Sequence, residues 1–233
     1  MNQDYLFYSD EETGCFENLY IVADGMGGHK AGDKASSYAV TRFVELAGRL
    51  EKMHPFRAMD QLIRQVNAEL YKISLQEEQY NGMGTTFVAA TVKDDMVYVM
   101  NIGDSRLYFY DGEQIRQITM DHSLVEELVR AGELAPEESK NHPQKNIITR
   151  AVGVYEELTA DFFRFPIRKG QKILLCSDGL SNMVEDHMLK DILADSGTVE
   201  EEARLCKDEA LYFGGIDNIA VVIAVCEDGG CAR

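Results

Sequence analysis

Cations are scarce in this chain. Its 23 Lys and Arg face 40 Asp and Glu, a net charge of −17 over 233 residues. So acidic a polypeptide repels nucleic acid and anionic membrane surfaces, and neither is expected as a partner. No apolar run approaches the ~18 residues of a membrane span. Met1-Asn2-Gln3-Asp4 lacks the basic and apolar regions of a signal peptide. The five cysteines are odd in number and contain no CxxC pair. Cys176 and Cys226 fall inside apolar runs and read as buried thiols, and Cys15, Cys206 and Cys231 have no obvious partners. A reducing compartment follows, taken here as the cytoplasm. The five histidines are dispersed and form no zinc cluster. His54, His122, His142 and His187 read as structural or exposed. A phosphate-binding P-loop and a GxGxxG fingerprint are both missing. So are linkers, low-complexity tracts and internal repeats, so one domain over 1–233 is expected.

What is present is a well-filled apolar complement, 45% of residues, enough for one substantial core. Helical spacing recurs from Asp33 to Leu50 and from Phe56 to Ile73. The middle of the chain reads as antiparallel strands. Thr85–Val92 and Met96–Ile102 flank Lys93-Asp94-Asp95, and Leu107–Tyr110 and Gln114–Thr119 flank the hairpin signal Asp111-Gly112. A polar, helix-prone insert over 124–146 interrupts the series. Strands resume at Ala160–Phe165 and Lys172–Ser177. Two helices follow, one with Asp186 as its cap, the other with a Thr198/Glu201 capping box. A strand from Ile219 to Val225 closes the series. The expected class is α+β, with sheets in the middle and paired helices outside.

Five aspartates mark the ends of the strand-like runs. Asp24 closes Leu19–Ala23, Asp104 follows Val97–Gly103, Asp178 follows Ile173–Ser177, Asp217 opens Ile219–Val225, and Asp4 lies near the start. Taken singly, each has a structural reading. Asp24-Gly25-Met26-Gly27-Gly28-His29 is a tight strand-to-helix turn, Asp104 could pair with Arg106, Asp178 could cap a helix, and Asp217 could form an Asx-turn. Their repeated placement points further. Strand ends can converge, and converged carboxylates stay ionised only beside strong positive charge. Carboxylates and a backbone carbonyl at a glycine turn suit magnesium or manganese.

Together these motifs resemble the metal-dependent type 2C Ser/Thr protein phosphatase family in its compact bacterial form. The series runs in the family's order through Asn2-Gln3-Asp4, Asp24–His29, Gly84-Thr85-Thr86, Gly103-Asp104-Ser105-Arg106 and Asp121-His122-Ser123. It continues with Ile148-Thr149-Arg150-Ala151-Val152-Gly153, Ser177-Asp178-Gly179-Leu180 and Asp217-Asn218. The resemblance implies a four-layer α-β-β-α sandwich, two antiparallel sheets flanked by paired helices, with 124–146 as a flap beside the active site. It makes Asp24 the bridge between two catalytic metals. The Gly25 carbonyl binds one of them, Asp178 and Asp217 complete the other, Asp4 sits close by, and Asp104 joins Asp178 at a third-metal position. The implied cofactors are two Mn2+ or Mg2+ ions, with the third site in addition.

The implied reaction is attack of a metal-bridging water on the phosphorus of phosphoserine or phosphothreonine, with no phosphoenzyme. His29 could protonate the leaving group or support the glycine turn. The implied partners are phosphorylated proteins, those of a cognate Ser/Thr kinase, acted on by a monomer. Three departures from the family pattern stand out. The phosphate-gripping arginine and most of the first strand would precede Met1, Gln3 stands where many relatives have Glu, and Ala220 stands where many have Thr. They keep two other readings open, a metal-binding pseudophosphatase or scaffold and a phosphatase for small phosphoesters.

Overall fold

The structure, a computed structural model, describes residues 2–27, 31–76, 78–139, 142–195, 197–227 and 230–231. Strands β1 (Asp4–Ser9) and β2 (Leu19–Met26) precede helices α1 (Ala31–Ala47) and α2 (Pro55–Gln76). Then come β3 (Gly84–Thr85), β4 (Phe87–Lys93), β5 (Met96–Ile102), β6 (Arg106–Tyr110) and β7 (Ile115–Gln117). Within 124–146 lie α3 (Leu124–Arg130) and α4 (Pro136–Ser139). The chain continues through β8 (Asp161–Pro166), β9 (Lys172–Cys176), α5 (Asp178–Ser181), α6 (Asp186–Leu193), α7 (Val199–Tyr212), β10 (Val221–Glu227) and β11 (Gly230–Cys231).

Two antiparallel sheets result. One has the order β1-β2-β4-β5-β8, with β3 attached to β2, and the other has β11-β10-β9-β6-β7. Alternation along each strand explains the layering. In β2, Ile21 and Ala23 pack among residues of α1 and α2, whereas Tyr20 and Val22 pack toward the other sheet. In β9, Ile173 and Leu175 face the first sheet, and Leu174 and Cys176 face the helices that carry Leu189 and Cys206. Both faces of both sheets are covered, which is why these strands read as unbroken apolar runs. The layers are therefore helices, sheet, sheet, helices, the sandwich expected from the sequence. Phe43 of α1 and Phe87 of β4 are fully buried, with ring centroids 5.1 Å apart and planes tilted by 46°, where the first helical layer meets its sheet. Cutting either to alanine costs about 3–5 kcal/mol.

Several local expectations shift. The turn between β4 and β5 is Asp94-Asp95, both at positive φ, the left-handed pair that a two-residue hairpin needs. Thr198 and Glu201 form the full capping box of α7. Asp186 does not cap α6. Glu185 holds the N-cap position, and Asp186 lies in the first turn, where its charge still favours the helix N-terminus. β2 also runs on through Met26, so Asp24 sits within the strand and not past its end. The reason is β3, a two-residue strand that the sequence does not announce, which pairs Gly25 with Thr85 and Met26 with Gly84.

Candidate metal centre

Asp24 continues the alternation of Tyr20 and Val22, which aims it at the gap between the sheets. Its register partner on β1 is Asp4. Like charges directly opposite one another on paired strands are destabilising, so this pair is a defect unless a cation balances it. Across the gap, β9 ends at Cys176, Ser177 forms the N-cap of α5, and Asp178 occupies the first helical position. The Ser177 hydroxyl donates to Asp4 Oδ2 at 2.7 Å and accepts from the Ala220 N–H at 2.9 Å. Ser177 thus ties the two sheets together at the acidic end. Asn218 joins them a second time, accepting from the Gln3 N–H at 2.8 Å through Oδ1.

The charges behave as a repelling cluster. Burial pushes the Asp24 carboxyl well above its ordinary range, and Asp4, Asp178 and Asp104 push it further. Burial raises Asp4 to about 6, with Asp178 and Asp217 adding to the rise against the Ser177 hydrogen bond. Asp104 rises to about 7 through burial and the Asp178 charge. Asp178 is itself raised, by burial and then by Asp217. Asp4, Asp24, Asp104 and Asp178 are thus each raised by burial and by neighbouring carboxylates at one end of the sandwich, and Asp217 is among the neighbours that raise Asp4 and Asp178. Asp4 Oδ1 and Asp178 Oδ1 are buried with no hydrogen-bond partner, a costly state that a bound cation relieves.

Among the described residues, no three acidic, histidine or cysteine side chains already close on a common point. Magnesium and manganese keep several waters and use one or two carboxylates each. The donor set is entirely oxygen, which suits these ions and not zinc.

Two glycines fix the geometry by close approach. A Cβ on Gly25 would lie 2.0 Å from the Gly32 carbonyl oxygen of α1, and one on Gly179 would lie 1.9 Å from the Asn218 carbonyl oxygen. Gly25 is thus demanded by the seating of α1 against β2, a stronger reason than ion access. Asp104 does not pair with Arg106 as one reading of the sequence allowed. Arg106 instead forks onto Asp121, with contacts of 2.7–3.1 Å, and its Nη1 donates to the Tyr108 hydroxyl. Asp104 is left facing a cleft of about 440 Å3 that Asp178, Arg106, Asp121, Glu126 and Glu185 also line. His29 lies outside the described residues, as does Gly28.

Three supporting residues escaped the sequence reading. Ser177 holds Asp4. Thr86 accepts from the Asp24 N–H through its hydroxyl oxygen at 2.8 Å, and that hydroxyl also pairs with Ser105 at 2.7 Å. His122, grouped above with the structural or exposed histidines, is buried against Gly103. Hydroxyls just beside an acidic motif were the available signal for the first two.

The sequence matches the family model described as Protein phosphatase 2C over residues 1–210. It is 41% identical over 225 residues to the serine/threonine phosphatase stp of Listeria monocytogenes serotype 4b, covering 93% of this chain and 89% of that protein. It is 37% identical over 225 residues to the protein phosphatase PhpP of Streptococcus pneumoniae serotype 2, covering 95% and 90%. Among solved structures, the serine/threonine phosphatase Stp1 of Staphylococcus aureus superposes with a TM-score of 0.88 at 34% identity, over 97% of this chain and 90% of that one. The catalytic domain of the phosphatase PstP, in complex with 2 manganese ions, superposes at 0.85 with 30% identity, over 100% and 93%. On the matched residues, the relatives and the shared sandwich, the chain belongs to the protein phosphatase 2C family.

Proposed function

We propose that this chain is a metal-dependent protein serine/threonine phosphatase whose centre is the acidic end of the sandwich. Asp24, opposite Asp4 in register and facing Asp178, is the observation that carries the reading. Asp24, the Gly25 carbonyl, Asp178 and Asp217 would hold the two cations, with Asp24 central to the set. Asp4, held by Ser177, orients solvent at their edge. Asp104 with Asp178 offers a third position. The ions are Mn2+ or Mg2+, which an all-oxygen donor set suits. When bound, such a pair of ions supplies the positive charge that acidifies water and neutralises a phosphoryl group in flight.

The remaining chemistry belongs to the chain. The carboxylates, ionised once balanced, fix where solvent stands relative to phosphorus. Ser177 and Thr86 keep Asp4 and Asp24 from swinging apart. The cleft beside Asp104 admits a side chain that carries the phosphate, and the insert at 124–146 forms one wall of that cleft as a flap. Among the described side chains no cysteine is placed to serve as nucleophile: Cys15, Cys176, Cys206 and Cys226 are buried, and burial raises the Cys15, Cys176 and Cys206 thiols. The substrates are phosphoproteins, those of a partner Ser/Thr kinase, met by a monomeric domain spanning 1–233 in the cytoplasm. Among the described residues, no helix is long and apolar enough to cross a membrane.

The test is hydrolysis of para-nitrophenyl phosphate and of a phosphothreonine peptide, with and without Mn2+. Activity that needs Mn2+ and vanishes in Asp178→Asn is expected. Metal binding without turnover on either substrate would make the protein a scaffold. Equal rates on peptide and small ester would make it a general phosphoesterase.

A further inference from the structure

His122 is a buried, titratable ring for which the reaction has no direct use. It is 5% exposed. Its backbone and side chain grip the same residue: the His122 N–H donates to the Gly103 carbonyl at 3.0 Å, and the Gly103 N–H donates to His122 Nδ1 at 3.1 Å. The other ring nitrogen, Nε2, lies 3.2 Å from Asp161 Oδ2 on β8. Arg150 Nη1 donates to Asp161 Oδ1 at 3.0 Å. An Nδ1 that accepts from Gly103 and an Nε2–H that faces a carboxylate define a single neutral tautomer.

Both ends of this arrangement matter. Gly103 sits at φ +100 with its backbone against the Thr86 side chain, where an added Cβ would lie 2.6 Å from Cγ2. It is the residue before Asp104. His122 also begins the neck of the insert. The Thr149 N–H donates to the His122 carbonyl at 2.8 Å, Ser123 bridges Ile148, and the Leu124 N–H donates to the Ile147 carbonyl at 2.8 Å. The two chains of the neck close the insert at its base, and Arg150 follows directly.

We propose that His122 is a positioning residue that couples the insert at 124–146 to the Asp104 position of the metal centre through Gly103. This rests on the assignment of Asp104 to that centre under the proposed function. One ring nitrogen sets the Gly103–Asp104 turn and the other anchors the neck to β8. Ion binding at Asp104 and docking of the insert then favour each other, and the effect is reciprocal.

The two nitrogens can be separated by substitution. Asparagine places an amide oxygen near the position of Nδ1 and lacks the reach to Asp161, and glutamine places an amide nitrogen near Nε2 and lacks the Gly103 acceptor. Mn2+ is titrated calorimetrically into the metal-free protein, without substrate. His122→Gln should weaken the weakest ion-binding step by about tenfold or more, the scale of lost outer-shell support. His122→Asn, which keeps the Gly103 bond and loses only the anchor to Asp161, should weaken it distinctly less than His122→Gln does. Trypsin cleavage at Arg130 and Lys145 gives the second reading. Mn2+ should slow it in wild type and not in His122→Gln. Asp161→Asn, which keeps both bonds to Gly103, should speed cleavage and, by the same reciprocity, weaken Mn2+ binding, though less than His122→Gln does.

Equal weakening by the glutamine and asparagine variants, in step with their melting temperatures, would overturn the proposal and leave His122 a packing residue. So would a glutamine variant that binds Mn2+ like wild type. Asp104→Asn is the reference. If it leaves the Mn2+ titration unchanged, the assignment of Asp104 itself is wrong, a failure distinct from that of His122.

Discussion

Glu202 and Asp24 are both carboxylates that folding takes out of bulk water, and they are treated in opposite ways. Glu202, on α7, is fully buried, and Lys172 of β9 places its ammonium directly against it while also donating to the Leu193 carbonyl at 2.8 Å. Asp24 has as its strongest charged neighbours three more carboxylates. One acid comes with a cation attached to the same chain. The other, on the proposed function, takes its cation from solution. The difference separates a structural ion pair from a binding site, although both are buried acids.

Removing the central carboxylate should give the largest effect. Asp24→Asn is expected to lower Mn2+-dependent turnover of para-nitrophenyl phosphate by about a thousandfold or more, since the bridge between two charges is gone. In metal-free protein the same change should leave the melting temperature at or above wild type, because it relieves repulsion. Gross unfolding of that variant without metal would erase the contrast with Glu202.

Lys172→Ala should do the reverse. It strips Glu202 of its counter-charge and should cost about 3–5 kcal/mol of stability, read by urea unfolding. Mn2+ should not restore the loss. Third, Mn2+ at about a hundred times its dissociation constant should stabilise the wild type by about 2.7 kcal/mol. That corresponds to roughly 5–10 °C in a melt of a domain this size. Chelation should reverse the shift, and a flat melt across millimolar Mn2+ would remove the case for the site.

The smallest effect is the pH dependence. Asp4 and Asp104 have folded-state pKa values raised to about 6 and about 7. Groups raised in this way support the fold at low pH, and that support is lost as pH rises through the folded values. Metal-free protein should therefore melt several degrees lower at pH 8 than at pH 5. Saturating Mn2+ should flatten the trend, and Asp104→Asn should reduce it in the absence of metal.

The fold was legible because its signals are local and repeated. Alternating burial, the Asp111-Gly112 turn and the Thr198/Glu201 box each act within a few residues, and the layers follow from their order. The five aspartates were legible for the same reason, since each stands at or near the end of an apolar run, although β2 continues two residues past Asp24. What joins them was not. Ser177 bonds to Asp4 across 173 residues, and nothing near either residue announces it. Arg106 was free on paper to choose Asp104 or Asp121, and only the tertiary placement of Tyr108 and the 121–123 segment decides. Asp186 lost the cap position to Glu185 because the chain enters α6 one residue earlier than the capping preference suggests. Gly25 was credited with ion access, whereas the helix packed against it sets the requirement. His122 read only as structural or exposed because its two partners, Gly103 just after β5 and Asp161 on β8, lie far from it in the sequence.

The hydrogen bond from Gln3 to Asn218 joins positions 215 apart in the chain. A nascent polypeptide still short of that asparagine holds neither the last carboxylate nor the clasp that seats the first. On the proposed function, dephosphorylation then starts only after synthesis has passed Asp217 and Asn218, and shorter products stay inert. Ion uptake would likewise report that both ends of the chain have met.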